Sequence, residues 1–420
     1  MWKIVLVILI VAAGVSAGGA GHNSIFAVID LEDATGAPNC HNRSLTAAVG
    51  DSLAGEFRSR LEIGAWGGEC SFAVDLSRGG GSVRAASLKM QNGDPGIEWD
   101  TGDNMSHDIY RLDNGDLEWA IVLDSAPFSN RLSFAIETDN LVFYYQDSSC
   151  FTDEVVYSGP DWAQGSYAVY HAHRRNNRVI IHGGDTLREL YATGKVFHIR
   201  RPQAFDKDGA RCWCDMHIDT VRHLLSIETP AAFLDRAVYP VVIDPTFGKS
   251  PVGAWSLGIV NYRHTALWNI GAVETGEGEI TGAYVYCDVN GDLEGSCQTK
   301  VHSYTKGGDP EHSMYHASSA TTMISDTSAH WAACSMSGHL ESGKTYMATL
   351  QGYNSVNNKL RIRADVAGWG DIIYADPGGW DVPGSLTGYA NKNEGFSAYI
   401  EYTLDIGGDT LSPRRRKILK

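Results

Sequence analysis

The chain has 420 residues, with 34 Lys or Arg against 50 Asp or Glu, a formal charge of −16. Its 43% hydrophobic and 20% charged residues exclude wholesale disorder, because there is enough apolar surface to bury cores. Acidity excludes a general nucleic-acid binder, since counterion release from phosphates needs Lys and Arg, and the length suits two or three domains.

At the start, Trp2 and Lys3 lead into an apolar run, Ile4–Val15, and then Val15-Ser16-Ala17. A basic start, an apolar stretch and a small-x-small site read as a secretory signal over residues 1–20, cut after Ala17 or Ala20. The run is shorter than the roughly 20 residues of a membrane-spanning helix, and an uncleaved anchor is the alternative. The expectation is a secreted, extracellular chain with no integral membrane domain once mature.

Taken in chain order, Leu45–Leu53 is the best helix candidate, and everything after it favours strands. Leu117–Leu123, Tyr167–His171, Val179–His182, Val196–Arg200 and Leu224–Glu228 read as strands. Leu132, Phe134 and Ile136 alternate with polar residues, Asp139-Asn140 makes a turn, and Leu141, Phe143 and Tyr145 repeat the pattern, which predicts a hairpin. Near the end Phe396, Ala398, Ile400, Tyr402 and Leu404 form one strand face. Short strands with Gly, Asn-Gly and Asp-Pro punctuation predict an all-β, multidomain β-sandwich protein. A break at Lys249-Ser-Pro-Val-Gly253 divides it into a β-rich domain over 22–248, as one unit or two subdomains, and a jelly-roll-like sandwich over 252–405. Residues 406–420 read as a basic, flexible tail. Removing Lys3 and the five basic groups of the last eight residues leaves 28 basic against 50 acidic groups, a balance of −22. The tail could therefore latch electrostatically onto the acidic body of a neighbouring copy.

Eight cysteines in an exported chain permit four disulfides, and Cys287–Cys297, flanking a turn-rich segment, is the pair expected to staple a hairpin. Cys212-Trp-Cys214 places both thiols on one strand face, where bonding to each other is awkward.

Three segments carry a resemblance: Gly165-Ser-Tyr-Ala-Val-Tyr-His171, Thr193-Gly-Lys-Val-Phe-His-Ile-Arg-Arg-Pro202 and Phe233-Leu-Asp-Arg-Ala-Val-Tyr-Pro-Val-Val-Ile-Asp-Pro-Thr-Phe-Gly248. They are similar to segments of phage and environmental β-rich structural proteins, some associated with tail fibres. The Tyr-Pro-Val-x-Ile-Asp-Pro-Thr stretch also resembles a domain-junction motif of secreted wall-associated and YD-repeat proteins. The likeness covers residues 110–248. It implies an extracellular or particle-surface β protein and carries over no catalytic residue. A leader sequence departs from the virion case, since proteins assembled into particles in the cytoplasm need none.

Four constellations offer chemistry. On a strand, residues two apart share a face, so both imidazoles of His171-Ala-His173 could meet one metal ion. The surrounding spacing resembles the first motif of cupins, with Asn177 where that motif has a glutamate. Asp288, Asn290 and Asp292 alternate like the start of a calcium loop, which makes Ca²⁺ the one cofactor the sequence allows; Asn290-Gly291 equally signals a hairpin turn. Trp369, Tyr374 and Trp380, interleaved with Asp371, Asp376 and Asp381, would stack sugar rings and bond their hydroxyls, giving a glycan-binding candidate. Glu62, Glu69 and Glu118 lie beside Trp66 or Trp119, but spacing selects no glycosidase pair. No nucleophile elbow, zinc-protease motif or phosphate loop occurs. The leading expectation is a non-catalytic surface, fibre or appendage protein that binds glycans or its own copies. The alternatives are a virion or tail-fibre component and a secreted carbohydrate-active hydrolase.

Overall fold

Alternation of apolar and polar residues is realised almost everywhere as strand. In Arg60–Ala65, Leu61, Ile63 and Ala65 face inward; in Arg131–Asp139, Leu132, Phe134 and Ile136 do so. The computed structural model describes residues 27–30, 46–49, 60–76, 85–91, 94–100, 104–150, 157–250, 252–258, 265–272, 276–289, 297–305, 314–324, 327–354, 360–367, 371–373, 389–390 and 394–406. Among them the protein is nearly all β, with one α-helical turn, Ala231–Leu234. The helix expected over Leu45–Leu53 is instead a strand, Thr46–Val49, paired on both sides. Sheet pairing overrides helix propensity there.

Four sheets make two sandwiches. In the first, a seven-stranded sheet runs Ala27–Asp30, Thr46–Val49, Arg60–Ala65, Cys70–Asp75, Arg131–Asp139, Leu224–Glu228, Asp215–Asp219. The sheet facing it is centred on Leu117–Leu123, which pairs with Met105–Arg111, Val241–Ile243 and Thr246–Gly248. It continues through Lys195–Ile199 and Tyr167–His171 to Leu141–Tyr145. Phe72 of the first sheet packs on Phe143, Phe197 and Phe247 of the second at ring separations of 5.6, 5.8 and 6.1 Å. Tilted contacts of this kind suit the ring quadrupoles.

The second core joins a sheet containing Trp255–Gly258, Leu360–Val366, Glu277–Val289 and Ala398–Asp405 to one containing Cys297–Thr305, Thr345–Asn354 and Thr265–Ala272. Among the described residues no helix is long and apolar enough to cross a membrane.

Two expected hairpins are not hairpins. Arg131–Asp139 and Leu141–Tyr145 sit in opposite sheets, because Asn140 at φ 53° turns the chain across the core and donates to the Glu69 carbonyl at 2.8 Å. Glu277–Val289 and Cys297–Thr305 likewise belong to facing sheets, so the strands that carry Cys287 and Cys297 do not pair with each other. Both cysteines are buried in one core, and no disulfide is present among the described residues.

Strands from before residue 250 also enter the second sandwich. The hairpin Asn177–His182 and Asp185–Leu190, from the amino-terminal part, completes the second sandwich: Asn177–His182 pairs in parallel with Ala398–Asp405. Tyr157–Ser158 pairs with Trp255–Gly258 in the same sheet. The Tyr-Pro-Val-x-Ile-Asp-Pro-Thr stretch, which resembles a domain-junction motif, forms strand. Val241–Ile243 and Thr246–Gly248 both pair with the central strand Leu117–Leu123, inside the first sandwich.

Strands that the amino-terminal part contributes to the second sandwich should couple the two cores. Phe72→Ala in the first core and Ile400→Ala in the second are each expected to cost about 3 kcal/mol, from lost burial and the cavity left behind. Both substitutions should shift the same unfolding transition in urea, followed by tryptophan fluorescence and circular dichroism together. Two transitions moved independently would contradict the coupling.

Candidate functional site: a buried polar junction

Every residue of Lys195–Ile199 is buried, because one face meets the first core and the other meets the second sandwich. A register shift after Val169 sets Lys195 opposite Tyr170 on the neighbouring strand. From the second sandwich, Leu360–Val366 brings Asp365 to the same point. Lys195 and Asp365 side chains are 1% and 0% exposed, with Nζ 2.8 Å from Oδ2.

The pair is answered atom by atom. Lys195 Nζ also reaches the Val252 carbonyl at 2.7 Å and His198 Nδ1 at 3.1 Å. Asp365 Oδ2 accepts the Tyr170 hydroxyl at 2.7 Å, while Oδ1 accepts the Ala254 backbone N–H at 2.8 Å. Ser166 Oγ donates to the Ala163 carbonyl, so its 2.7 Å contact with His198 Nε2 must be accepted from that ring. The proton of His198 therefore sits on Nε2, leaving Nδ1 as an acceptor for Lys195. Burial, followed by the charges of Lys195 and Arg200, holds His198 well below the ordinary histidine range, so it stays neutral. Burial and the Asp365 carboxylate push the Tyr170 hydroxyl well above its ordinary range, which keeps it a donor.

Ser166, His198 and Asp365 superficially form a hydrolase triad. The tautomer argues otherwise, since His198 presents a proton rather than a lone pair to Ser166, and all three are buried.

Neighbouring contacts close the junction. Gln146 treats Val366 as a strand partner, donating to its carbonyl at 2.9 Å and accepting its N–H at 2.8 Å. Asn176 accepts the Ile400 N–H at 2.9 Å. Gly253 lies so close to Ala364 that a Cβ would fall 2.1 Å from the Ala364 carbonyl carbon, so only glycine fits there. Residues expected to be a linker are thus packed and hydrogen-bonded.

The residues singled out from sequence are distributed differently. The strand ends at His171, so His173 leaves its face; its backbone N–H donates to His171 Nδ1 at 3.1 Å. His171 Nε2 lies 3.4 Å from Glu69 Oε1, whose other oxygen accepts the Tyr191 hydroxyl at 2.7 Å. His171 first, then Tyr191 and Arg174, hold the Glu69 carboxyl down at about 2 against the opposing effect of burial. His171 is therefore engaged with a carboxylate and packs in a tilted contact on Trp66, ring centroids 5.7 Å apart.

Asp288 is buried, and its carboxylate accepts Arg361 Nε at 2.6 Å. Asn290 and Asp292 lie outside the described residues. Among the described residues no group of three or more His, Cys, Asp or Glu is arranged to hold a metal ion. Of the glycan candidates, Asp371 opens the strand Asp371–Ile373, opposite Leu267. Trp369, Tyr374, Trp380, Asp376 and Asp381 lie outside the described residues, as do the leader and the tail from 407 onward.

Glu62 pairs with Arg60 at 3.5 Å and does not share partners with Glu118. Glu118 sits beside Asp116 and Asp244 in the first sandwich. Asp116 is held by Arg200 and by the Lys249 N–H at 3.0 Å, whereas Glu118 has the Thr246 hydroxyl at 2.8 Å. Burial raises Glu118 to about 7, and raises Asp244 to about 6.

No protein-family model, curated protein or solved structure matches the chain.

Lys195, His198, Tyr170 and Asp365 were not singled out from sequence. Their one local signal is a charged residue inside an apolar strand, as in Gly-Lys-Val-Phe-His-Ile.

Two outcomes follow. Asp365→Ala leaves the Lys195 charge buried without its carboxylate and should cost about 3–5 kcal/mol in chemical denaturation, while Lys195→Met with Asp365→Leu should recover most of that. Glu118 keeps a proton in the folded state that the unfolded chain releases near 4.5. Its contribution is therefore present below 4.5 and lost as pH rises toward 7, by roughly 3 kcal/mol. In the difference between the native and Glu118→Gln stability profiles over pH 4–8 that decline should appear on its own, because the opposing rise from the buried, neutral His198 and the smaller decline from Asp244 are common to both.

Proposed function

We propose that this chain is a non-catalytic structural protein of an extracellular surface, fibre or appendage, engaging glycans or its own copies. The observation that carries the reading is the junction: the amino-terminal part supplies a strand hairpin to the second sandwich, and a fully satisfied buried ion pair ties the two together, so the tandem behaves as one stiff unit. Stiffness along two packed β units suits a spacer or fibre element. An enzyme working through domain closure would need the opposite.

Composition supports the assembly part. An acidic body and a basic carboxy-terminal run give two complementary surfaces on one chain. The resemblance of residues 110–248 to surface and tail-fibre proteins points the same way, and the leader favours secretion over packaging in a virion.

Deleting Pro413–Lys420 should weaken self-association, with the larger loss at low ionic strength, where charges are least screened. Sedimentation velocity at two salt concentrations reads this directly. Identical assembly of both chains at every salt concentration would remove the latch. On a glycan panel the expectation is binding without turnover; released product that disappears on changing Glu118 would overturn the non-catalytic reading in favour of a hydrolase.

A further inference from the structure

We propose that Lys195 and Asp365 become joined by an amide bond, an intramolecular cross-link between the two sandwiches formed by the chain itself. This inference does not rest on the functional reading above; it rests on which atoms surround the pair.

An amide needs an amine nitrogen held against a carboxyl carbon, a base for the amine, a donor for the oxyanion and an acid for the departing oxygen. Each has an occupant. Lys195 Nζ lies at Asp365 Oδ2, 2.8 Å away, with water excluded. His198 Nδ1, whose lone pair faces Nζ at 3.1 Å, is the base, and Ser166 positions the ring from the other side. The Ala254 N–H, on Oδ1 at 2.8 Å, holds the oxygen that remains as the amide carbonyl. The Tyr170 hydroxyl, on Oδ2 at 2.7 Å, is the acid for the oxygen that leaves. The two carboxylate oxygens are thus already distinguished by their partners.

The step balances without any outside reagent. An ammonium proton passes to His198 only for the duration of the attack, Nζ bonds to Cγ, and Oδ2 takes the Tyr170 proton, so that the tetrahedral intermediate carries its negative charge on Oδ1. The Cγ–Oδ2 bond then breaks as Oδ2 takes a second proton from the nitrogen and departs as water. His198 returns its one borrowed proton to Tyr170, relayed through Nζ and the departing oxygen, so that both end neutral. Of the three ammonium protons, one stays on the amide nitrogen and two leave with Oδ2 as water. Two buried charges are replaced by one neutral amide, which removes the desolvation cost that an ion pair bears in this position. Holding both groups in contact through the fold supplies the proximity that free amines and carboxylates lack.

The full chain, folded and kept at neutral pH, is digested with trypsin after reduction and read by tandem mass spectrometry. The expected product is a branched species, one water lighter than its parts, in which the peptide containing an uncleaved Lys195 is joined to the peptide containing Asp365. Two separate linear peptides, with cleavage after Lys195, would overturn the proposal. Asp365→Asn should give the identical branched product with loss of ammonia, and Lys195→Arg should give none. A branched species persisting in Lys195→Arg would also overturn it. His198→Gln and Tyr170→Phe should slow formation by on the order of a hundredfold in folded protein, as expected for loss of a proton-transfer group; unchanged rates in both would remove the assigned roles and the proposal with them.

Discussion

A buried charge has to be answered in full, and that requirement organises the junction between the sandwiches. Taking an ammonium and a carboxylate out of water costs several kcal/mol each even after relaxation. The cost is met only because four separate pieces of chain arrive together: Tyr167–His171, Lys195–Ile199, the Val252–Ala254 bridge and Leu360–Val366. Moving any one of them strips a partner from an ion that cannot reach solvent. The parallel pairing of Asn177–His182 with Ala398–Asp405, the Gln146 clamp on Val366 and the close approach of Gly253 to Ala364 then follow as neighbours of a fixed point. Rigidity between the two units is a consequence of polar satisfaction as much as of apolar burial.

Strand positions were legible in the sequence to a useful degree. Leu117–Leu123, Tyr167–His171 and Leu224–Glu228 occur with the expected bounds. Partners were not legible. Alternation with period two reports which face of a strand is buried, and a sandwich buries inner faces of both sheets identically. Leu132, Phe134 and Ile136 therefore carry the same pattern whether the next strand returns beside them or crosses to the opposite sheet. Asn140 in a left-handed conformation permits either path. Nothing local tells whether the strands that carry Cys287 and Cys297 pair with each other or lie in facing sheets, because the cysteines face inward either way.

The candidate site was still less visible. Lys195 and Asp365 are 170 residues apart, and neither belongs to a spaced motif. Motif reasoning favours residues close in sequence, and so it selected His171 and His173, whose shared face depends on a strand that stops at His171. It also selected Asp288, whose environment is set by Arg361, a residue 73 positions later. In an all-β chain with mostly non-local contacts, the chemistry of a side chain is decided by strands that local spacing cannot connect.

Polar chemistry at this junction achieves something an apolar plug would not. An apolar interface tolerates sliding, since Leu and Val lose little when displaced onto other apolar neighbours. Strand pairing is less tolerant, because a shift of one residue turns each side chain to the opposite face. Applied to Leu360–Val366, such a shift would carry Asp365 away from Lys195 and place Ala364 or Val366 against the ammonium. The alternative packing then bears an unpaired buried ion, while the native one has every donor and acceptor of that pair engaged. The gap between the two arrangements is therefore set by the ion pair, and it is widest where backbone pairing alone would discriminate least, at the short contacts that tie one sandwich to the other.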